Sequence, residues 1–437
     1  MKQINTSRTT LTVVRTGLLL LAALAMAAPA AMSQELTWGG VLEGNGSATF
    51  ADHLDDPETE FSFVSALWLE SLFTPNEETS IELAVQPSYT WTDDRPYLFD
   101  LDRAVADMRF GEIAGPSSVL RGQVGRFRLA GPSNLIINDT VDGLDFTLSL
   151  PAVRVRLASA YTGLLLNPSS NIRMSGADDA DSGDDDEFFG PRRLLALASV
   201  AFPEFAIRQT GTLAYLGQWD LRDADPGEDT INSHYFGFTV DGPIVPGLFQ
   251  DVEFFLSPAT GEVEGAEGSE TVLGYLASAR LRYFRGDWNA SRFGLRGVIV
   301  SGAGGDDDNF YTIAEREATI VADIPLQNVA YGEFTYGVRP FAGADSRSFR
   351  DIQTSLTSRV LFRVNTDQPV DTFGASVSKD GAYIGTDLSL QVGWRILSDI
   401  GASITGGAFF PGTGSSAVFS DERKPEYLVR AQLSASF

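Results

Sequence analysis

Residues 81–91 alternate without a break. Ile81, Leu83, Val85, Pro87, Tyr89 and Trp91 take the odd positions, and Glu82, Ala84, Gln86, Ser88 and Thr90 the even ones. A period of two belongs to a β-strand with one apolar and one polar face. About eleven residues is also the length of a strand that crosses a bilayer at a tilt. Proline cannot donate to a ladder, so the pattern predicts a bulge at Pro87. The same rhythm returns elsewhere. Phe61, Phe63, Leu67, Leu69 and Phe73 alternate against Ser62, Val64, Ala66, Trp68 and Glu70. Leu144, Phe146, Leu148 and Leu150 alternate against Asp145, Thr147 and Ser149. Phe293, Leu295 and Ile299 oppose Arg292, Gly294 and Arg296, and in 384–396 Leu388, Leu390, Val392 and Trp394 oppose Asp387, Ser389, Gln391 and Arg395.

A soluble β-sandwich also alternates, so the choice rests on length, number and connections. The strands are long, and aromatic side chains sit near their ends, as at Trp91, Tyr161, Trp219, Trp394 and Tyr427. Tyrosine and tryptophan favour the membrane–water boundary, where ring and polar tip are both satisfied. Short connections with turn residues, at 74–76, 114–116, 150–152, 203–204, 245–247 and 285–287, alternate with long acidic ones at 51–60, 163–190, 221–231, 257–270, 303–346 and 412–425. Short turns at one end and long loops at the other are the asymmetry of an outer-membrane barrel, with the turns in the periplasm. The fold class expected is therefore all-β: a single antiparallel transmembrane β-barrel of about eighteen strands, with sixteen as the alternative. The count places a strand at 370–378. It leaves 303–346 open, as a further hairpin or a loop folded inward to constrict the lumen.

Composition fixes the compartment. Lys2, Arg8 and Arg15 precede an apolar run over 17–26, and small residues follow at Ala31 and Ser33. That is a secretory signal with cleavage expected before Gln34, so residues 1–33 are set aside and 34–437 form the barrel. The chain has no cysteine, which excludes a disulfide framework and a lipid-anchored N-terminus. Its net charge of −26 argues against a nucleic-acid partner, whose phosphates it would repel.

The charge is unevenly placed. The windows 51–60, 176–187, 221–230, 261–270 and 306–308 are dense in Asp and Glu and hold Arg222 as their one basic residue. Acid runs of this kind are usually solvated loops. Asp179, Asp181 and Asp185, like Asp223, Asp225 and Asp229, have a loosely calcium-like spacing, yet neither set completes a ligand loop, and no metal site or cofactor is assigned. Basic residues are nearly all arginine, with lysine only at positions 2, 379 and 424. The polar strand faces carry Arg103, Arg109, Arg154, Arg156, Arg208, Arg280, Arg282, Arg292, Arg296, Arg359, Arg363, Arg395 and Arg430, against Glu70, Glu82, Asp107, Asp145, Asp251, Glu253 and Asp387. Arg154/Arg156, Arg280/Arg282, Arg292/Arg296 and Arg359/Arg363 are each spaced by an even number and so share a face. An arginine facing lipid at mid-bilayer costs roughly 2–4 kcal/mol, which turns these side chains inward. Arg121 against Arg126 and Arg128 breaks the parity: either Gly125 marks a bulge, or one set lies beyond the membrane. The pore-lining candidates are thus Arg154, Arg156, Arg280, Arg282, Arg292, Arg296, Arg359, Arg363, Arg395 and Arg430. For each, the competing reading is a strap that pairs with a lumen acid and ties neighbouring strands.

Catalytic chemistry is missing. His53 and His234 are the two histidines. Ser233 and His234 are neighbours in sequence, which on a strand points them to opposite faces. Phosphate-binding loops, zinc spacings and dinucleotide fingerprints do not occur. The chain is read as no enzyme.

The last eleven residues carry a resemblance. Tyr427, Val429, Ala431, Leu433, Ala435 and Phe437 alternate against Arg430, Gln432, Ser434 and Ser436, and the chain stops on the aromatic ring. This resembles the C-terminal assembly signal of Gram-negative outer-membrane proteins. The resemblance implies recognition of Tyr427, Val429, Leu433 and Phe437 by the barrel-assembly machinery, and an address in the outer-membrane lipid after export. In architecture, an arginine-lined barrel of this size also looks like the alginate-export type of porin. The function expected is an outer-membrane porin that passes small hydrophilic, anionic solutes or acidic saccharides through an arginine-lined lumen. The alternatives are a surface-exposed adhesin-like barrel that works through its acidic loops, and a soluble secreted β-protein.

Overall fold

The computed structural model describes residues 35–437 apart from 51–56, 94, 96, 185, 207, 223–229, 263–269, 303–309, 367–380 and 420–422. Residues 1–33, expected from the sequence to be a secretory signal, lie outside the described residues. Eighteen strands follow one another: β1 Glu35–Phe50, β2 Glu58–Asn76, β3 Thr79–Thr92, β4 Leu98–Gly111, β5 Val119–Ala130, β6 Asn138–Ser149, β7 Arg154–Tyr161, β8 Arg193–Ala206, β9 Gln209–Asp220, β10 Thr230–Val245, β11 Leu248–Glu262, β12 Glu270–Arg285, β13 Ser291–Val300, β14 Val329–Val338, β15 Gln353–Arg363, β16 Tyr383–Arg395, β17 Ile400–Pro411 and β18 Glu426–Ser436. Each pairs antiparallel with its neighbours in sequence, and β18 pairs with β1 from Val41–Ser436 to Phe50–Tyr427, closing the ring. Closure leaves no unpaired edge in the bilayer.

One face of every strand is exposed and apolar. Leu213 (61% exposed), Leu295 (59%), Leu281, Phe334, Leu390 and Ile404 all point outward although they are large hydrophobic residues. Only lipid satisfies such a wall. Among the described residues no helix is long and apolar enough to cross a membrane; the crossing is made by strands.

The bulge expected at Pro87 is present, on the partner strand. Gln86 opposes Arg103 and Pro87 opposes Leu101, so Asp102 is the extra residue. Asp102 accepts hydrogen bonds from Ser88 Oγ (2.7 Å) and Gln86 Nε2 (3.4 Å) across the gap in the ladder. Gly125, by contrast, marks no bulge. Its φ of 122° closes a tight approach to Ala104, but the pairing of β5 runs unshifted on both sides. Parity therefore holds along β5. Arg121 faces the lumen, while Arg126 and Arg128 stand on the outer face at the loop end. There Arg126 is neutralised by Asp142 (2.7 Å) and Asp100 (3.5 Å), and Arg128 bonds Asn138 (2.7 Å).

The stretch 303–346 does three things. Residues 310–328 fold into the barrel, 329–338 form β14, and 339–352 make the connection to β15 at the opposite end. The expected strand at 370–378 lies outside the described residues, and β15 pairs directly with β16. The total of eighteen thus stands with β14 as a member that the alternation did not reveal.

Short turns gather at one end: 77–78, 112–118, 150–153, 207–208, 246–247, 286–290 and 396–399. Arg208 belongs to the turn at 207–208, not to a strand face as expected. Residues 203–204 lie inside β8, so that turn comes a few residues later than the sequence suggests.

Candidate functional site in the barrel lumen

The loops that enter the lumen decide its shape. Three meet inside the mouth: 131–137, the described residues of 162–192, and 310–328. Ile313 donates its backbone N–H to Ile136 (2.9 Å), Glu315 donates to Asn171 (2.7 Å), and Arg316 bonds the Asn138 carbonyl (3.1 Å). A few residues on, the Ala318 carbonyl accepts from Arg359 (3.0 Å), and the Asp387 carboxylate accepts from the N–H groups of Ile320 (3.0 Å) and Val321 (3.1 Å). Asn138 begins β6 and Arg359 lies on β15, nine strands apart in a ring of eighteen. Residues 313–321 therefore strap the lumen across its width.

The strap is held by burial as well as by polar ties. Phe310, Ile313, Ala314, Ile324 and Leu326 have almost no exposed surface, and they pack with Ile136, Ile172, Leu195, Leu216, Tyr235, Phe255 and Leu276. The last five are lumen-facing strand residues. Each fully buried large side chain contributes roughly 1.5–3 kcal/mol, so the loops are fixed parts of the fold. Where loops fill the barrel, strands β8 to β12 carry large apolar side chains on the inner face as well as the outer one.

A second lock holds the loop 162–192. Its helix α1, Gly176–Gly183, is capped by Ser175 and Asp178 in a reciprocal box. The fully buried Asp178 accepts a hydrogen bond from Arg193 (2.6 Å) and forms an ion pair with Arg222 (2.9 Å), and both arginines also meet Asp220, at 3.1 and 2.7 Å. Burial pulls the Arg222 guanidinium down. Its bond to Asp220 and the charges of Asp178, Asp220 and Asp181 outweigh that and hold its pKa above the ordinary value. Sequence spacing gave no sign of this cluster, because its members come from two loops and two strands. Of the loosely calcium-like sets, Asp185, Asp223, Asp225, Asp229 and the Asp179 side chain lie outside the described residues, while Asp181 pairs with Arg222 (3.2 Å).

The predicted arginines, Arg154, Arg156, Arg280, Arg282, Arg292, Arg296, Arg359, Arg363, Arg395 and Arg430, all take the lumen parity of their strands. Their environments differ. Arg156 is clamped by Asp145 (2.5 Å), Arg359 by Glu333 (2.7 Å) and Arg296 by Glu253 (3.6 Å), so these three are straps. Arg363 is buried and bonds the Gly381 carbonyl (2.9 Å), and Arg395 bonds the Ser398 carbonyl (2.7 Å). Arg154, Arg280, Arg282, Arg292 and Arg430 make no ion pair among the described residues, and Arg282 Nε is buried without a hydrogen-bond partner.

The lateral register explains the split. Asp241, Asp251, Arg280, Arg296, Glu333, Arg359 and Asp387 stand side by side on the inner face of β10 to β16. Arg280 opposes Arg296. Arg296 turns away to Glu253 and Ser278, which leaves Arg280 to the open space. That space is a hollow of about 730 Å³ toward the short-turn end, lined by Arg280, Arg282, Arg292, Arg339 and Arg395, with Asp351 as its single acid. On the other wall, Arg103 is shared by Glu70 (3.2 Å), Glu82 (3.7 Å) and Asp107 (2.7 Å). A hollow of about 340 Å³ beside it mixes Arg109 and Arg121 with Glu82, Asp107 and Asp145.

This corrects the whole-lumen arginine excess. Glu43, Glu60, Asp102, Asp241, Glu333 and Glu426 also face inward and were not counted. Glu333 was missed because β14 was missed. The basic excess is local to the vestibule under β12 to β17.

Ser233 and His234 do point to opposite faces. Ser233 is buried on the inner face, and His234 stands on the outer wall against Tyr215 (3.0 Å) and the Trp219 ring. Tyr427, Val429, Leu433 and Phe437 also stand on the outer wall. Phe437 pairs its backbone with Gly40 in both directions (3.0 Å each).

A closed antiparallel barrel with an apolar outer wall, a charged inner wall and an inward strap is an outer-membrane β-barrel of porin architecture. Solved structures share it. The chain superposes on Pseudomonas aeruginosa OccK11 (OpdR) with a TM-score of 0.58 at 13% identity, covering 93% of this chain and 97% of that one. It superposes on OpdL of the same organism at 0.58 and 14%, covering 92% and 99%, and on its outer membrane protein OprD at 0.57 and 9%, covering 93% and 94%. No protein-family model and no curated protein matches the sequence.

Proposed function

We propose that this barrel is a porin for small hydrophilic solutes and that it prefers anions, carboxylates and acidic saccharides among them. The observation that carries the reading is the vestibule of about 730 Å³, where five arginines face one aspartate. A narrow passage takes its field mainly from nearby charges, because loop acids are screened over roughly 10 Å at 0.1 M salt. Guanidinium groups match carboxylate and phosphate geometry. Arg280, Arg282 and Arg292 are free to serve because they make no ion pair among the described residues, and Arg296 next to them works as a strap. The strap 313–321 limits the size of what passes. In this reading the signal segment is removed on export, and the assembly machinery reads the terminal strand with its aromatic end.

The test is a reversal potential across a planar bilayer under a salt gradient. The wild-type barrel is expected to show anion preference. Replacing Arg280, Arg282 and Arg292 with Gln should lower the anion-to-cation permeability ratio several-fold, most strongly at low salt. Cation preference in the wild type would mean that the acids at the mouth control entry and would overturn the anionic reading.

A further inference from the structure

The short-turn end has one long connection. Residues 339–352 link β14 to β15 with fourteen residues, where the other turns at that end need two to seven. The segment carries a one-turn helix α2, Arg347–Arg350, and its two sides differ in chemistry. On one side Phe349 stacks beside Trp394 (6.4 Å) and meets Phe341 edge-on (6.3 Å). Trp394 faces outward from β16, and its indole N–H reaches the Ser348 carbonyl (3.0 Å). Phe341, Phe349 and the nearby Trp288 are each half exposed or more. On the other side Arg339, Arg347 and Arg350 line a cleft of about 320 Å³ against the β12–β13 turn, with Gly286, Ala290 and Ala342 as its small walls and Asp351 as its one acid. The cleft is undercharged with acid. Arg347 has an 84% exposed side chain and only a 3.9 Å contact to Asp351, and Arg339 Nε is buried with no hydrogen-bond partner.

A cluster of three guanidinium groups with open donors selects a phosphate or carboxylate. On the far side of the same turn, the outward Trp394, stacked with Phe349, marks the level of the bilayer interface. We propose that this cleft binds the phosphate of an anionic phospholipid in the periplasmic leaflet, with its acyl chains running up the outer wall past Phe349 and Trp394. The lipid fixes the long turn and the rim of the vestibule above it. The cleft shares Ala290, Arg339 and Asp351 with the vestibule, so a free phosphate or carboxylate leaving the lumen is the competing occupant. The aromatic flank favours lipid, because a free anion gains nothing from it.

Native mass spectrometry of the full barrel in detergent, mixed with phosphatidylglycerol and phosphatidylcholine, separates the two. Wild type is expected to retain phosphatidylglycerol at least tenfold more strongly. The triple variant Arg339→Gln, Arg347→Gln, Arg350→Gln should lose that preference, and Phe341→Ala with Phe349→Ala should weaken retention of the lipid. Arg347→Glu, at a solvent-exposed side chain, gives a second variant with little risk to folding, and heat-modifiable migration on a gel reports the fold in each case. Equal retention of both lipids by wild type, or unchanged retention in Arg347→Glu, overturns the proposal. So does displacement of phosphatidylglycerol by millimolar inorganic phosphate with no effect of the aromatic variants, which would assign the cleft to free anions.

Discussion

At the scale of single residues, parity was the strongest signal, and pairing was invisible. The four even-spaced arginine pairs all take the inner parity of their strands. It could not say that Arg156 would meet Asp145 while Arg280 would meet nothing, because partners come from strands far apart in sequence. The Asp178–Arg193–Asp220–Arg222 cluster shows the cost of such ties. Removing one partner from a buried ion network strands the remaining charges, at about 3–5 kcal/mol. Arg193→Leu should therefore loosen the loop 162–192. Proteolysis of the purified barrel should cut near residues 184–189 many times faster than in wild type, and equal rates would show that apolar packing alone holds the loop. Phe437 makes a second case. A side chain at Gly40 would collide with the Phe437 ring, so the closing seam needs both residues as they are. Phe437→Asp and Gly40→Val should each lower the amount of heat-modifiable barrel in the outer membrane, and normal levels of Phe437→Asp would remove the terminal aromatic from the assembly account. Glu317 on the strap gives a pH dependence. Burial pushes its carboxyl up, Asp323 and Glu315 push it further, and Arg430 pulls it back. A raised folded-state value means that the folded strap binds the extra proton. The strap is thus most stable below the ordinary carboxylate range and weakens as pH rises through the raised value. Glu317→Gln should flatten the pH dependence of spontaneous closures in single-channel records.

Among elements, the long alternating strands were legible and the strap was not. β3, β16 and β18 each have a clean apolar face, because lipid covers one side and water the other. β14 was hidden because its faces are mixed. Val329 and Tyr331 point inward with Glu333 and Thr335, while Ala330 and Gly332 share the outer face with Phe334 and Tyr336. Its inner apolar residues are covered by the strap, so their burial depends on a loop that sequence periodicity does not describe. The strap itself has no period. Its course follows from ties to Asn138, Arg359 and Asp387. Replacing residues 313–321 with a short Gly-Ser linker should raise single-channel conductance several-fold while the barrel remains heat-modifiable. Unchanged conductance would mean that the narrowest point lies elsewhere.

For the whole molecule, closure and sidedness set what each end does. The exposed Phe188 and its neighbours mark the loop end, and most of 310–328 is shielded although it belongs to a loop, with Glu315, Glu317 and Asp323 as its exposed residues. Protease added to intact cells should cut first around 184–189 and leave 310–328 uncut. Cuts at the turns 150–153 or 286–290 would show the opposite orientation. What the sequence determined by itself was the class: strands of period two, an outer apolar face, short turns against long acidic loops, and arginines turned inward. Those features are local, because each follows from what one strand must show to lipid and to water. The tertiary structure alone decided which arginines are free, where the lumen narrows and where positive charge concentrates. These depend on which side chains meet across a ring of eighteen strands and on three loops that fold into it, and such contacts join residues that no local pattern connects.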